Sequence, residues 1–124
     1  MHVTEIAFSV YAVTDLKRAR GFYEGRLGLK PGMVYEGDNE GWIEYEIGPG
    51  VLAVAAGYEQ FKPSANGGSI ALEVEDFDLA IQELTKAGSK FVMKPVDFPG
   101  CRMAAVLDPD GNTLTIHRRK ATNP

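Results

Sequence analysis

The chain has 124 residues, of which 44% are hydrophobic and 24% are charged, a composition typical of an ordinary globular domain with its own core. Its formal net charge of −4 gives no basic surface for nucleic acid or an anionic membrane, so neither partner is expected. A single cysteine, Cys101, excludes an intramolecular disulfide, and no signal-peptide pattern or membrane-length apolar run is present. We therefore expect a cytoplasmic protein.

The first half of the chain predicts one strand, one helix and three further strands. Residues 5–13 are apolar and aromatic, which favours a strand. Asp15 is a typical helix N-cap, apolar residues follow at helical spacing, and Gly28 is expected to end the helix. Gly-containing turns then separate three short strand-like runs, at residues 33–35, 41–47 and 51–55.

The same order of elements returns after a Gly- and Pro-containing segment at about residues 59–67, which is interpreted as a linker. Asp76 is a second predicted N-cap, and Gly88 is expected to end the second helix. The strands of this half are predicted at residues 69–74, 90–93, 102–107 and 113–116. Val13-Thr14-Asp15-Leu16 aligns with Val74-Glu75-Asp76-Phe77 at an offset of 61. The chain is thus predicted to be one domain, residues 1–124, with modules at about 5–58 and 68–118.

The repeated order strand-helix-strand-strand-strand predicts an α+β fold. Each module has one apolar helix face and a mainly antiparallel sheet, so the helices should cover one face of the sheets. We expect the opposite faces to curl towards each other and to enclose a cavity.

The turn at Asp108-Pro109-Asp110-Gly111 precedes a strand whose two faces differ. Leu114 and Ile116 are expected to face the core. The opposite face carries polar groups that could bind a ligand, namely Thr113, Thr115 and His117.

Three segments, "VTDLKRARGFYEGRLGL", "SIALEVEDFDLA" and "DPDGN", together resemble the glyoxalase / bleomycin-resistance / extradiol-dioxygenase superfamily, which has the vicinal oxygen chelate fold. The resemblance extends from about Ile6 to His117. It implies two βαβββ modules whose U-shaped mixed sheet surrounds a ligand, with the helices on the convex face. It also implies a homodimer.

Metal-dependent members of this family bind a divalent ion through side chains on the first and last strands of each module. The resemblance places these four positions at Phe8, Ala53, Ser69 and Thr115. A phenyl ring and a methyl group cannot coordinate a metal, and Ser or Thr hydroxyls seldom bind a transition metal unaided. We therefore expect neither a metal site nor a cofactor. A displaced site built from Glu44, Glu46, Glu73 and His117 is the alternative, although the first two are separated by roughly 7 Å along one strand.

Strand alternation then predicts which residues line the cavity. Ile43, Tyr45 and Ile47 are expected on the helix side, so Trp42 and Glu44 should face the ligand. The predicted ligand-binding residues are Phe8, Trp42, Glu44, Ala53, Ser69, Glu73, Thr115 and His117. Structural alternatives remain, because the two aromatic residues could belong to the core, Glu44 could be solvated, and His117 could be an ordinary strand-end residue. The aromatic residues assigned to the core are Tyr11, Phe22 and Tyr23.

The leading functional hypothesis is a metal-independent, homodimeric protein that binds or sequesters a small organic molecule. The alternative is an enzyme, a glyoxalase-like lyase or isomerase or a dioxygenase. It would use either an atypical metal site or metal-free acid–base catalysis by Glu73 or His117. A third hypothesis is a structural or protein-interaction module whose cavity is filled by side chains.

Overall fold

The computed structural model describes residues 1–59 and 61–121, and the chain divides into two compact units, Met1–Ser64 and Ala65–Pro124. The predicted linker and the predicted domain also include residues 60 and 122–124, which lie outside the described residues. Unit 1 contains β1 (Ser9–Val13), α1 (Leu16–Arg20) with a π-helical segment (Gly21–Arg26), β2 (Pro31–Glu36), β3 (Gly41–Ile47) and β4 (Gly50–Ala56). Unit 2 contains β5 (Ile70–Glu73), α2 (Phe77–Lys86), β6 (Phe91–Asp97), β7 (Cys101–Leu107) and β8 (Thr113–Arg119). The predicted α+β fold with two βαβββ modules is confirmed.

Each unit has its own four-stranded mixed sheet. The strand orders are β1-β4-β3-β2 and β5-β8-β7-β6, and in both sheets only the first pair is parallel. Ser9 and Ile70 begin the first strands, and Leu16 and Phe77 begin the helices, so both pairs keep the spacing of 61 residues found in the sequence. The two sheets are therefore related by the predicted repeat.

Both predicted N-caps are confirmed by their hydrogen bonds. The Asp15 carboxylate accepts from the backbone N–H of Arg18 at 3.0 Å, and the Asp76 carboxylate accepts from that of Leu79 at 3.0 Å. These bonds satisfy N–H groups that have no partner inside the helix. The first helix, however, ends in a π-helical segment at Arg26, which the spacing of its apolar residues did not predict.

Several strands differ in length from their predictions, and β8, for example, extends to Arg119 rather than to residue 116. β1 begins at Ser9 rather than at residue 5, and its pairing with β4 begins there, opposite Leu52. β2 and β6 are longer than predicted and include Pro31 and Pro95. Both are edge strands with register shifts, where a proline that lacks an N–H group is tolerated.

Alternation along β3 separates a buried face from a more accessible one. Ile43 and Tyr45 are completely buried, whereas Trp42 and Glu44 are half-buried and Glu46 is exposed. The three aromatic residues assigned to the core from the sequence are also buried, namely Tyr11, Phe22 and Tyr23. No helix within the described ranges combines the length and apolar character needed to cross a membrane.

A polar contact joins the helical segment to the buried face of β3. The hydroxyl of Tyr45 donates to the Glu24 carboxylate at 2.9 Å, and the Arg20 guanidinium donates to the same oxygen at 2.7 Å. The ring of Tyr45 also stacks on Tyr23, with centroids 5.9 Å apart. Burial, followed by the hydrogen bond to Glu24, raises the pKa of Tyr45, while the hydrogen bond from Arg20 lowers the pKa of Glu24. The phenol therefore stays a neutral donor and the carboxylate a charged acceptor.

The turn before β8 is held together by hydrogen bonds among its own polar groups. Asp108 and Asn112 are both buried, and the Asp108 carboxylate accepts from the backbone N–H groups of Asp110 and Asn112 at 2.9 and 2.8 Å. The amide of Asn112 also donates to this carboxylate at 2.8 Å, and Gly111 has a positive φ of 89°. These bonds fix where β8 begins and hence which of its side chains face the core.

We expect Tyr45→Phe to lower the free energy of unfolding by about 1–2 kcal/mol, because it removes a hydrogen bond to a charged acceptor at a fully buried ring. The measurement is urea denaturation followed by circular dichroism. Tyr35→Phe is the matched control, since that ring is 47% exposed and a change within about 0.5 kcal/mol is expected. Equal effects of the two substitutions would contradict this role of Tyr45.

Candidate functional site

The predicted ligand-binding residues divide equally between the two units. Phe8, Trp42, Glu44 and Ala53 belong to unit 1, and Ser69, Glu73, Thr115 and His117 belong to unit 2. In unit 1, Glu44 is the cross-strand partner of Ala53, which is the partner of Val10, so the three side chains share one face. Tyr45 bonds to the helical segment on the other side. The predicted residues therefore lie on the sheet face opposite the helix.

On this face of unit 1, four aromatic rings form a group that we call the Trp42 cluster: Phe8, Trp42, Tyr58 and Phe61. The Trp42 ring lies 5.2 Å from Phe8, 5.9 Å from Tyr58 and 6.0 Å from Phe61, measured between centroids. Phe8 is 43% exposed, and the other three residues are half-buried. The cluster thus presents aromatic surface that the fold of unit 1 leaves partly uncovered.

The charge beside the Trp42 cluster is negative. The indole N–H of Trp42 donates to the Glu44 carboxylate at 2.9 Å, which fixes the orientation of the ring. Desolvation, with smaller contributions from Glu40 and Tyr35, raises the pKa of Tyr58, so its hydroxyl stays neutral. No Lys or Arg occupies this face of β1, β3 and β4, whose residues are Val10, Ala12, Trp42, Glu44, Glu46, Val51, Ala53 and Ala55.

In unit 2, Glu73 and His117 form a close pair. They are cross-strand partners on β5 and β8, and Nδ1 of His117 lies 2.6 Å from Glu73 Oε1. The second oxygen, Oε2, accepts from the backbone N–H of Arg119 at 2.8 Å and lies 3.9 Å from the Arg118 guanidinium. Both oxygens of the carboxylate are therefore held in place.

These contacts also determine the charge of Glu73. The hydrogen bond from the Arg119 backbone lowers its pKa most, followed by the hydrogen bond from His117. An ionised carboxylate only accepts hydrogen bonds, so the contact assigns the proton of a neutral imidazole to Nδ1. Nε2 then carries a lone pair.

The remaining predicted residues contribute little polar chemistry. Ala53 is completely buried, so its methyl group is not at the surface of unit 1. The hydroxyl of Ser69 donates to the backbone carbonyl of Thr113 at 3.3 Å. Thr115 is half-buried and has Ala71 and Ala105 as cross-strand partners. That these three residues contact a ligand stays a prediction.

The four family metal positions do not fit a divalent ion. Phe8 and Ala53 have no donor atom, and the Ser69 hydroxyl is already bonded to a carbonyl. Throughout residues 1–59 and 61–121, no three His, Cys, Asp or Glu side chains are arranged to hold a metal ion, and this includes the displaced set considered above. We derive no chemistry through a metal for this chain.

Tyr58 and Phe61 were missed because they lie at the end of the first predicted module and in the predicted linker, where no strand or helix pattern assigns a direction to a side chain. A signal was present, since two large aromatic residues stand close together in an otherwise polar stretch. An open depression of about 280 Å³ is also present, but it involves none of the predicted residues. It is lined by Leu16, Glu36, Gly37, Asn39, Glu40, Gly41 and Ala56.

The sequence matches one family model, and the fold is similar to those of several solved structures. The model of the Glyoxalase/Bleomycin resistance protein/Dioxygenase superfamily matches residues 2–116, whereas no curated protein matches the sequence. The fold is similar to that of TnmS3, an antibiotic binding protein from Streptomyces sp. CB03234, with a TM-score of 0.81 and 21% identity over 97% of this chain and 99% of that one.

Two further structures are somewhat more similar in sequence. A superfamily member from Sphaerobacter thermophilus DSM 20745 has a TM-score of 0.74 and 28% identity over 94% of this chain and 98% of its own. The trypanothione-dependent glyoxalase I of Leishmania major has a TM-score of 0.75 and 27% identity over 94% of this chain and 87% of its own. The same fold therefore occurs in a binding protein and in an enzyme.

We predict that purified protein retains far less than one metal ion per chain after incubation with Zn²⁺, Ni²⁺, Mn²⁺ or Fe²⁺ and desalting. The reason is the lack of donor atoms at the four family positions. Elemental mass spectrometry measures the retained metal. Retention close to one ion per chain would show that the ligand-by-ligand argument is wrong.

Glu73 should stabilise the protein in a pH-dependent way. Its pKa is lowered from 4.5 on folding, so the stabilisation is present above that value and is lost as the pH falls through the lower folded pKa. We expect Glu73→Gln to have a lower Tm than the wild type at neutral pH, and the difference to shrink in acid. Glu75→Gln, at an exposed neighbour, is the matched control. A difference for Glu73→Gln that grows in acid would contradict the assignment.

Proposed function

The chain belongs to the glyoxalase/bleomycin resistance protein/dioxygenase superfamily, and on that premise we propose that it is a metal-independent protein that binds a small organic molecule. The observation that carries the proposal is the Trp42 cluster. The role is to bind or sequester the ligand rather than to convert it. The predicted ligand residues that belong to this surface are Phe8, Trp42 and Glu44, while Ala53 lies buried beneath it on the same sheet face.

The physical properties of the cluster favour a flat organic ligand. Large aromatic side chains that stay partly exposed offer apolar area whose removal from water is favourable. Ring–ring contacts in offset or edge-to-face geometry add about 0.5–1.5 kcal/mol each. A planar ligand could cover the exposed ring of Phe8 while it contacts Trp42, 5.2 Å away.

The charge of the site favours a cationic ligand over an anionic one. Glu44 is bonded to the Trp42 indole, Glu46 is exposed on the same face, and no basic side chain offsets them on β1, β3 or β4. A cation is also attracted to the faces of aromatic rings, Trp most of all. We therefore propose an aromatic or otherwise planar molecule that carries a positive charge.

The likeness to TnmS3 is consistent with this proposal. That protein is described as an antibiotic binding protein, and it shares its fold with this chain at 21% identity. Such a likeness concerns the fold, so it supplies a precedent for binding and does not identify the ligand. The proposal rests on the aromatic side chains of this chain.

We also propose that the protein is a homodimer and acts in the cytoplasm, as the sequence resemblance and the single cysteine led us to expect. Size-exclusion chromatography with light scattering tests the first point. A mass of one chain, independent of concentration, would contradict it.

The enzyme alternative has one observation in its favour, the contact between Glu73 and His117 at 2.6 Å. A carboxylate that orients an imidazole is an arrangement used for acid–base catalysis. The alternative stays second, because no three His, Cys, Asp or Glu side chains among the described residues are arranged to hold a metal ion.

Binding can be followed through the single tryptophan of the chain, which lies within the proposed site. We expect proflavine, a planar aromatic cation, to quench Trp42 fluorescence saturably. Phe61→Ala should weaken binding about tenfold, since it removes one aromatic wall, a loss of about 1.4 kcal/mol. Leu79→Ala, at an exposed position on α2, is the control and should leave the affinity unchanged. Absence of saturable quenching by proflavine would count against a planar cationic ligand at this cluster.

The role of charge is tested with a matched pair of substitutions on β3. Glu44→Gln should weaken proflavine binding several-fold, because it removes the carboxylate bonded to Trp42. Glu46→Gln, two residues further along the same face, should have a smaller effect. The anionic dye 8-anilino-1-naphthalenesulfonate should bind more weakly than proflavine and gain affinity in Glu44→Gln. Stronger binding of the anion by the wild type would contradict the proposed selectivity.

A further inference from the structure

The pair formed by Glu73 and His117 lies outside the Trp42 cluster and has the geometry of a proton acceptor. Glu73 is fixed at both oxygens, by His117 Nδ1 at 2.6 Å and by the backbone N–H of Arg119 at 2.8 Å. The carboxylate therefore fixes the ring orientation and the tautomer of the imidazole together. The pair resembles a carboxylate and histidine that act as one unit rather than two independent surface residues.

The outer nitrogen of the imidazole is available to a ligand. Within the described part of the chain, Nε2 of His117 has no hydrogen-bond partner, and the side chain is 19% exposed. Because the proton of the neutral imidazole stays on Nδ1, where it is donated to Glu73, Nε2 accepts a hydrogen bond rather than donating one. This requirement selects ligands that present a donor.

On the Thr115 side of the imidazole, the neighbouring positions on this sheet face are uncharged. Met103 is the cross-strand partner of His117, and Thr115, two residues earlier, has Ala71 and Ala105 as partners. The short side chains of Ala71 and Ala105, beside Thr115, leave room for a ring to lie against the sheet. Beyond the imidazole, Arg119 is the next residue on this face of β8, and the Arg118 guanidinium lies 3.9 Å from Glu73 Oε2.

From these contacts we propose that His117 Nε2, oriented by Glu73, binds the acidic hydroxyl of a phenol or enol. The ligand O–H bond breaks as the proton moves to Nε2, and the electron pair remains on the ligand oxygen. The imidazolium keeps its Nδ1–H bond to the Glu73 carboxylate, which stabilises the new positive charge. Arg119, two residues further along the same face of β8, provides positive charge for the oxyanion. The inference concerns unit 2 alone and does not depend on the Trp42 cluster.

The test uses 4-nitrophenol, whose phenolate absorbs visible light, at a pH below the pKa of the free phenol. We expect wild-type protein to increase the phenolate absorbance saturably. His117→Phe should abolish the increase, and Glu73→Gln should weaken it about tenfold, because the amide cannot stabilise the imidazolium. Glu75→Gln should match the wild type, and 4-nitroanisole, which lacks the hydroxyl, should not compete. An unchanged absorbance with the wild type, or an equal increase with His117→Phe, overturns the proposal.

A second measurement needs no variant at the pair. The chain has two histidines, His2 and His117, so nitrogen-15 NMR of the imidazoles is readily assigned with His2→Gln. In neutral His117 we expect the proton on Nδ1, with Nε2 unprotonated. A proton on Nε2 contradicts the proposal. Proflavine quenching of Trp42 reports on the other unit, so failure of either inference can be recognised separately.

Discussion

Alternation of side chains along the strands is the constraint on which the candidate sites depend. In unit 1, Tyr45 is buried towards the helical segment and bonded to Glu24, so its neighbours Trp42 and Glu44 must lie on the other face. A shift of one residue in register would bury Glu44 and expose Tyr45. The hydrophobic core thus determines which residues remain available to a ligand.

The two repeated units carry different side chains on the accessible face of the sheet. In unit 1 the accessible face carries an aromatic cluster beside a carboxylate, and in unit 2 the corresponding face carries a carboxylate paired with a histidine. None of the four family metal positions carries a suitable metal ligand. These positions are Phe8, Ala53, Ser69 and Thr115. The chain therefore has the superfamily fold, and the side chains on its accessible faces are the basis of the two binding proposals.

Much of this organisation could be predicted from the sequence, because periodic patterns encode it. Asp15 and Asp76 cap their helices as expected, and the alternation around Tyr45 assigns both faces of β3. Tyr58 and Phe61 could not be placed, since they follow no period and their contact with Trp42 is set by the path of a loop. The bond between His117 and Glu73 joins residues 44 apart in sequence, so it depended on strand pairing that composition does not reveal.

The central claim is that the Trp42 cluster is where a ligand binds. NMR tests it directly, because the chain has one tryptophan and hence one indole N–H resonance. During titration with proflavine, this resonance should move saturably, while the ring resonances of Tyr23 and Tyr45, which are buried on the other face, stay in place. Binding of proflavine that leaves the indole resonance unmoved would contradict the account.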